Sequence, residues 1–200
     1  VTRVLLASRN AKKLAELRRI LAAERVEGIE IVGLDDVPEF PEAPETGATF
    51  EENALAKARD AVAATGLPAI ADDSGIAIDA LNGMPGVLSA RWSGGHGADE
   101  ANLHLVLAQL GDVPDDRRGG GFVCAIALVR PDGTETTLRA DWRGVITREP
   151  SGTNGFGYDP IFRPDGHDRT SAELSPAEKD AISHRGQALR LLLPHLAALA

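Results

Sequence analysis

Apolar residues along the chain alternate between two spacings, and the changes of spacing mark out the elements. Val4-Leu5-Leu6-Ala7 is a continuous run of strand length, and Leu14, Leu17, Ile20 and Leu21 follow at helical spacing. A short strand over residues 29–32 leads into the loop from Asp35 to Ala48, which Pro38, Pro41 and Pro44 keep irregular. Thr49 and Glu52 then form the capping-box pattern that opens a helix running to about Ala64. Ala69-Ile70-Ala71 predicts another buried strand. Asp72-Asp73-Ser74-Gly75 reads as an acidic turn leaving it, and apolar sequence resumes over Ile76 to Leu81.

The glycine-rich stretch from Asn82 to Ala98 predicts a long loop, and Leu103, Val106, Leu107 and Leu110 mark the helix beyond it. Phe122 to Val129 and Thr134 to Arg143 flank Pro131-Asp132-Gly133, a hairpin signal. After an irregular segment, Ser175-Pro176-Ala177-Glu178 opens a short helix, and residues 185–199 predict the last one. Strand-helix units joined to an antiparallel pair give an α/β class with a mixed sheet, and no repeat or linker divides residues 1–200, which read as a single domain.

Composition narrows the function. At 43% hydrophobic and 26% charged, 200 residues suffice for a substantial core. No run is long enough to span a bilayer, so the expectation is a cytoplasmic protein with no membrane partner. The lone Cys124 lies within an apolar strand, where a buried thiol is expected and an intrachain disulfide is impossible. A formal charge of −9 argues against a nucleic acid polymer as partner, because coating a phosphate backbone needs a basic face.

The distribution of charge is more informative than its sum. Asn10 is a good N-cap, yet Lys12 and Lys13 occupy the first turn behind it, where cations oppose the helix dipole. Either both lysines point into solvent, or free backbone N–H groups, dipole and lysine converge there on an anion such as phosphate. The anomaly recurs where Ser183 can cap the last helix ahead of His184 and Arg185, with Lys179 in the helix before. Arg185 has a fork of donors suited to phosphate or a base carbonyl, whereas His184 fits equally an ordinary boundary histidine. The acidic groups are Asp72, Asp73, Glu45 and the Glu51-Glu52 pair. Hard carboxylate oxygens after a strand suit Mg²⁺, although the same residues also make a plain turn. No histidine has the spacing of a zinc ligand. Asn53 and Lys57 are one turn apart on a shared helix face. In a chain only 4% aromatic, Gly155-Phe156-Gly157-Tyr158-Asp159-Pro160 sets two rings in a polar loop. Phe156 there either stacks on a base, with Asp159 accepting purine N–H groups, or folds into the core.

Five segments, taken in order, closely resemble the inosine/xanthosine triphosphate pyrophosphatase family: Ser8-Arg9-Asn10-Ala11-Lys12-Lys13; Glu45 to Phe50 with Glu52-Asn53-Ala54 and Lys57-Ala58; Asp72 to Gly75; Phe156 to Pro160; and Ser183-His184-Arg185. The resemblance implies two lobes around an elongated central mixed sheet with flanking helices, a nucleotide cleft between the lobes, and a homodimer. It implies Mg²⁺-dependent attack of water on the α-phosphorus of ITP, dITP or XTP, giving monophosphate and pyrophosphate. By the same resemblance Asn10 and Lys13 with Lys57 hold the triphosphate, and Ser8, Arg9, Ala11, Lys12 and Asn53 are further substrate-binding positions. Glu45 and Asp73 bind Mg²⁺, Asp73 also activates water, and Ser74 contacts substrate. Phe156, Gly157, Tyr158, Asp159, His184 and Arg185 read and stack the base, with Lys179 nearby. Arg9 departs from the pattern, which usually has glycine there. A small-ester phosphatase with an aspartate nucleophile would need a second aspartate two residues on, and adjacent Asp72-Asp73 lacks that spacing.

Overall fold

The computed structural model describes residues 1–200. Elements follow the order β1 (Thr2–Leu6), α1 (Ala11–Glu24), β2 (Ile29–Val32), α2 (Phe50–Thr65), β3 (Ala69–Ile78), β4 (Met84–Pro85), α3 (Asp99–Gln109), β5 (Gly119–Val129), β6 (Glu135–Ile146), β7 (Phe162–Pro164), α4 (Pro176–Ile182) and α5 (His184–Ala197). The strands form one mixed sheet in the order β2-β1-β3-β5-β6-β7, with β4 paired to β3. β1 runs parallel to β2 and β3, whereas β3–β4 and β6–β7 are antiparallel. No helix is long and apolar enough to cross a membrane.

The chain divides into two compact units. The first comprises residues 1–73, 124–140 and 185–200; the second, residues 74–123 and 141–184. In the first, β1 shows why a continuous apolar run was needed. Val4 and Leu6 face one way, into a core with Leu17 and Ile20 of α1, Leu189 and Leu192 of α5, and the β5 residues Cys124 and Ile126. Leu5 faces the other way, toward Val32, Ala61 and Ala69. Side chains alternate across a strand, so a strand covered on both faces must be apolar at every position. Burial pushes the Cys124 thiol up to about 12, as expected of an inert core residue.

The second unit has its own core, in which Ile76 and Ile78 meet Leu103 and Val106 of α3 and the rings of Phe122, Trp142, Tyr158 and Phe162. Here the structure corrects the expected acidic turn. β3 is continuous from Ala69 to Ile78, so Asp72, Asp73, Ser74 and Gly75 are strand residues. Gly75 marks a close approach: Ser89 and the carbonyl of Gly86 lie where its Cβ would sit. The Ser89 hydroxyl accepts from the Ile76 N–H at 2.9 Å and donates to Gly86 O at 2.6 Å. The 82–98 loop, expected to be irregular, contributes β4 and a 3₁₀ turn over Gly86–Arg91.

Candidate active site

Asn10 caps α1 as its sequence position suggests, its Oδ1 accepting from the N–H groups of Lys12 and Lys13 at 3.1 Å each. Two of the amides expected to be free for an anion are therefore satisfied internally, because a short amide side chain at an N-cap reaches those groups first. What remains of the anomaly is the lysine side chains. Lys13 turns inward, its Nζ 3.4 Å from Asp72 Oδ2, while Lys12 is exposed. Ser8 is half-buried and Ala11 exposed on the same turn.

Asp72 and Asp73 alternate across β3 and meet different surroundings. Asp72 is buried beside two cations, with Arg185 Nε 3.5 Å from the oxygen that faces Lys13. Burial alone would raise its pKa; the charges of Lys13, Arg185 and Lys57 outweigh this and hold the carboxyl well below the usual range. Asp73 goes the other way. Burial and the neighbouring charge of Glu45 push it up to about 6, against the opposing pull of Lys57, Lys13 and a hydrogen bond from Asn53. Neighbours in sequence thus become a fixed anion and a carboxylate poised near neutrality.

Asn53 and Lys57 fix the second carboxylate. Asn53 is buried on α2, donating from Nδ2 to Asp73 Oδ2 at 3.0 Å and accepting at Oδ1 from the Gly47 N–H at 2.8 Å. One amide therefore joins the Glu45 loop to β3. Lys57 Nζ lies 2.7 Å from Glu45 Oε1, and the charges of Asp72, Glu45 and Asp73 raise its pKa against the effect of burial. Among the described residues no three His, Cys, Asp or Glu side chains meet as a metal cage. The neighbouring carboxylates of Glu45 and Asp73 nevertheless fit Mg²⁺, which takes few protein oxygens and leaves the rest of its coordination to water and phosphate.

Arg185, for which the resemblance implied base contact, is the largest fully buried side chain of the molecule. Its Nη1 donates to Glu16 Oε2 at 2.6 Å. Sequence reading missed Glu16, although a signal existed: Lys13, Glu16, Leu17 and Ile20 share one helical stripe, which buries the acid with the leucine. His184, the residue before, belongs to the second unit. Its ring stacks on Phe122 at 4.8 Å and 11° and lies 6.0 Å from Trp142.

In the second unit the 151–159 loop is pinned from several sides. Asn154 bonds Leu174 O at 2.9 Å, Thr170 Oγ1 donates to Ser151 O at 2.6 Å, and Gly157 N–H donates to Asp99 Oδ2 at 3.1 Å. Tyr158 is buried, its hydroxyl donating to Ser89 O at 2.7 Å. Asp159, expected to accept from a purine, is committed to its own loop. Oδ1 accepts from Ser171 Oγ at 2.6 Å, and Oδ2 accepts from Phe156 N–H at 2.9 Å and from Lys179 Nζ at 2.7 Å. A buried carboxylate must be compensated, and these three donors engage both of its oxygens within the loop's own surroundings. Phe156 is half-buried rather than in the core, with Lys179 Nζ 5.2 Å from its ring centroid. Ser74 is half-buried as well.

The Ham1 family model matches residues 4–195. The chain belongs to the Ham1 family. It is 72% identical to a protein of Nocardia farcinica named dITP/XTP pyrophosphatase, across all of this chain and 97% of that one. Among solved structures, the Mycobacterium abscessus nucleoside-triphosphatase / dITP/XTP pyrophosphatase is 63% identical with a TM-score of 0.80, covering 96% of this chain and all of that one. A HAM1 protein from Coxiella burnetii is 46% identical with a TM-score of 0.87, covering 99% and 100%. As a Ham1 family member the chain has the expected α/β fold around a mixed sheet with flanking helices.

Proposed function

We propose that the protein is a nucleoside-triphosphate pyrophosphatase that hydrolyses XTP, dITP and ITP to the monophosphate and pyrophosphate. One observation carries the chemistry: Asp73 is buried at the end of a 3.0 Å hydrogen bond from Asn53, in a cluster with Glu45 and Lys57, so its carboxylate is held in one orientation from which it can accept a proton from water. The names borne by full-length relatives at 72% and 64% identity, dITP/XTP pyrophosphatase, support the substrate class.

In this proposal the first unit handles phosphate and the second handles base. Lys13 and Lys57, with Ser8 and the Asn10–Lys13 turn, neutralise the triphosphate, and phosphate oxygens take over from the carboxylates that now face the two lysines. Glu45 and Asp73 are the residues that would hold Mg²⁺, which when bound supplies positive charge against the phosphate oxygens. Water oxygen bonds to the α-phosphorus as its proton passes to Asp73; the bond to the bridging oxygen breaks and pyrophosphate leaves with that electron pair. Ser74 contacts substrate. Phe156 stacks on the purine, with Gly157 shaping the turn beside it, and Lys179 with the backbone N–H of Tyr158 favours a 6-oxo group. Donors of this kind are left unpaired by the 6-amino group of ATP, a mismatch that discriminates strongly. His184 and Arg185 support the base and phosphate residues from behind, and Asp159 acts by holding Phe156 and Lys179. Acting on the nucleotide pool as a homodimer in the cytoplasm completes the proposal.

The test is incubation with Mg²⁺ and XTP, dITP, ITP, GTP or ATP, followed by product separation. Monophosphate and pyrophosphate from the first three, with slow turnover of ATP, is expected; diphosphate and phosphate would refute the reaction. Sedimentation at micromolar concentration reads the homodimer, and a monomer there would remove that part.

A further inference from the structure

The loop from Pro38 to Gly47 has no regular structure, and residues 41–44 are exposed, yet it delivers Glu45. Its apolar anchorage ends at Phe40, which packs with Leu34 and Val37 against Leu5 and Val32. Beside this anchorage lies an open pocket of about 280 Å³ lined by Arg9, Leu34, Val37, Pro38 and Phe40 together with Asp35 and Glu39. From Phe40 to the start of α2 the loop depends on polar ties.

Three ties act at successive points. Arg9 Nη2 donates to Phe40 O at 2.6 Å, its Nε lies 3.3 Å from Glu42 Oε2, and its guanidinium sits 5.7 Å from the Phe40 ring centroid. Lys57 holds Glu45 itself, and Asn53 holds Gly47. The middle tie cannot last if Glu45 turns to a metal and Lys57 to a phosphate, because both partners of that pair are then taken. Asn53 remains downstream and Arg9 upstream.

We infer that Arg9 is a positioning residue, a latch that keeps the 40–45 segment in place so that Glu45 is presented to the divalent cation after Lys57 releases it. A planar guanidinium suits the task, because one side chain can engage a carbonyl, a carboxylate and a ring face together. The glycine usual at this position in the family that the sequence resembles has no side chain with which to form the tie. The latch therefore depends on the arginine. It also directs Arg9 toward Phe40 and Glu42, away from a direct phosphate role.

This inference rests on the proposed metal role of Glu45, so the experiment separates the two. Mn²⁺, a spectroscopic stand-in for Mg²⁺, is titrated into nucleotide-free protein by electron paramagnetic resonance, for wild type, Arg9→Ala, Arg9→Lys, Glu42→Gln and the Arg9→Ala/Glu42→Gln double variant. Amide hydrogen exchange is read over residues 38–47 in parallel. The expected result is a Mn²⁺ dissociation constant about fivefold higher in Arg9→Ala, the size of effect of losing one solvent-exposed hydrogen bond or ion pair, with faster exchange confined to the loop. Arg9→Lys recovers only part of the affinity, and adding Glu42→Gln to Arg9→Ala costs nothing further. Unchanged affinity and exchange in Arg9→Ala would overturn the latch, as would equal weakening accompanied by faster exchange throughout the first unit. Absence of Mn²⁺ binding by wild type would overturn the metal role and the latch together. Normal Mn²⁺ binding with XTP left intact would count against the substrate assignment alone.

Discussion

Two buried carboxylates one residue apart, Asp72 and Asp73, contrast with a third, Asp159, in how their charge is used. Asp72 and Asp73 sit among Lys13, Lys57, Arg185, Glu45 and Asn53, and the cations there have carboxylates as their partners. On the proposed function such pairs would exchange as a triphosphate and a cation arrive with the same two kinds of charge. Asp159 is compensated entirely by its own unit, through Ser171, Phe156 N–H and Lys179, and nothing in that set needs to let go. In that proposal the first unit serves by substitution of its ion pairs and the second by keeping a loop still. Phosphate chemistry needs the former, because charge must be neutralised as it shifts; reading a flat base needs the latter, because a mobile donor discriminates poorly.

The difference sets the ranking of expected effects. The largest is Asp73→Asn, which keeps the shape and the Asn53 neighbour but removes the base. Turnover of XTP should fall by roughly 10³-fold, while the protein still binds XTP in calorimetry; turnover within a few fold of wild type would remove Asp73 from the mechanism, and lost binding would make it a structural residue. Next is Asp159→Ala, which strands Lys179 and the Phe156 amide in a buried setting. Urea denaturation should report a loss of about 3–5 kcal/mol, against little change if the loop holds itself without the carboxylate. Third is Phe156→Ala, which leaves that network intact and removes one face of the base. It should raise KM for XTP by roughly tenfold, the scale of one base–aromatic stack, with kcat much less affected. The smallest is at Cys124, where iodoacetamide should leave the native thiol unmodified over hours and react readily in urea, because a buried thiol pushed up to about 12 offers almost no thiolate.

Periodicity found most of the fold, because β1, α1, β2, α2 and the β5–β6 hairpin each carry one unbroken pattern with its own start or stop signal. It failed at Asp72-Asp73-Ser74-Gly75, whose residue types favour turns locally. There the strand continues because pairing in the sheet and burial outweigh propensity, and the closeness of Ser89 explains the glycine. That Lys13, Lys57, Glu45, Asn53, Asp72 and Asp73 carry charge or polarity was legible, but not how they pair. Which oxygen of Asp159 meets Ser171, or that His184 and its neighbour Arg185 enter different units, depends on side-chain direction at junctions, which spacing does not encode. Glu16 was the avoidable omission, since its place on the apolar stripe of α1 marks it as buried and in need of a cation.

The central claim is that water attacks the α-phosphorus under the care of Asp73 and its neighbours. Hydrolysis of XTP in ¹⁸O-water, with the products analysed by mass spectrometry, tests this most directly. The account predicts one ¹⁸O in the monophosphate and none in the pyrophosphate. Label in the pyrophosphate would put the attack on the β-phosphorus, and the roles given to Asp73, Glu45 and the lysines would then be wrong.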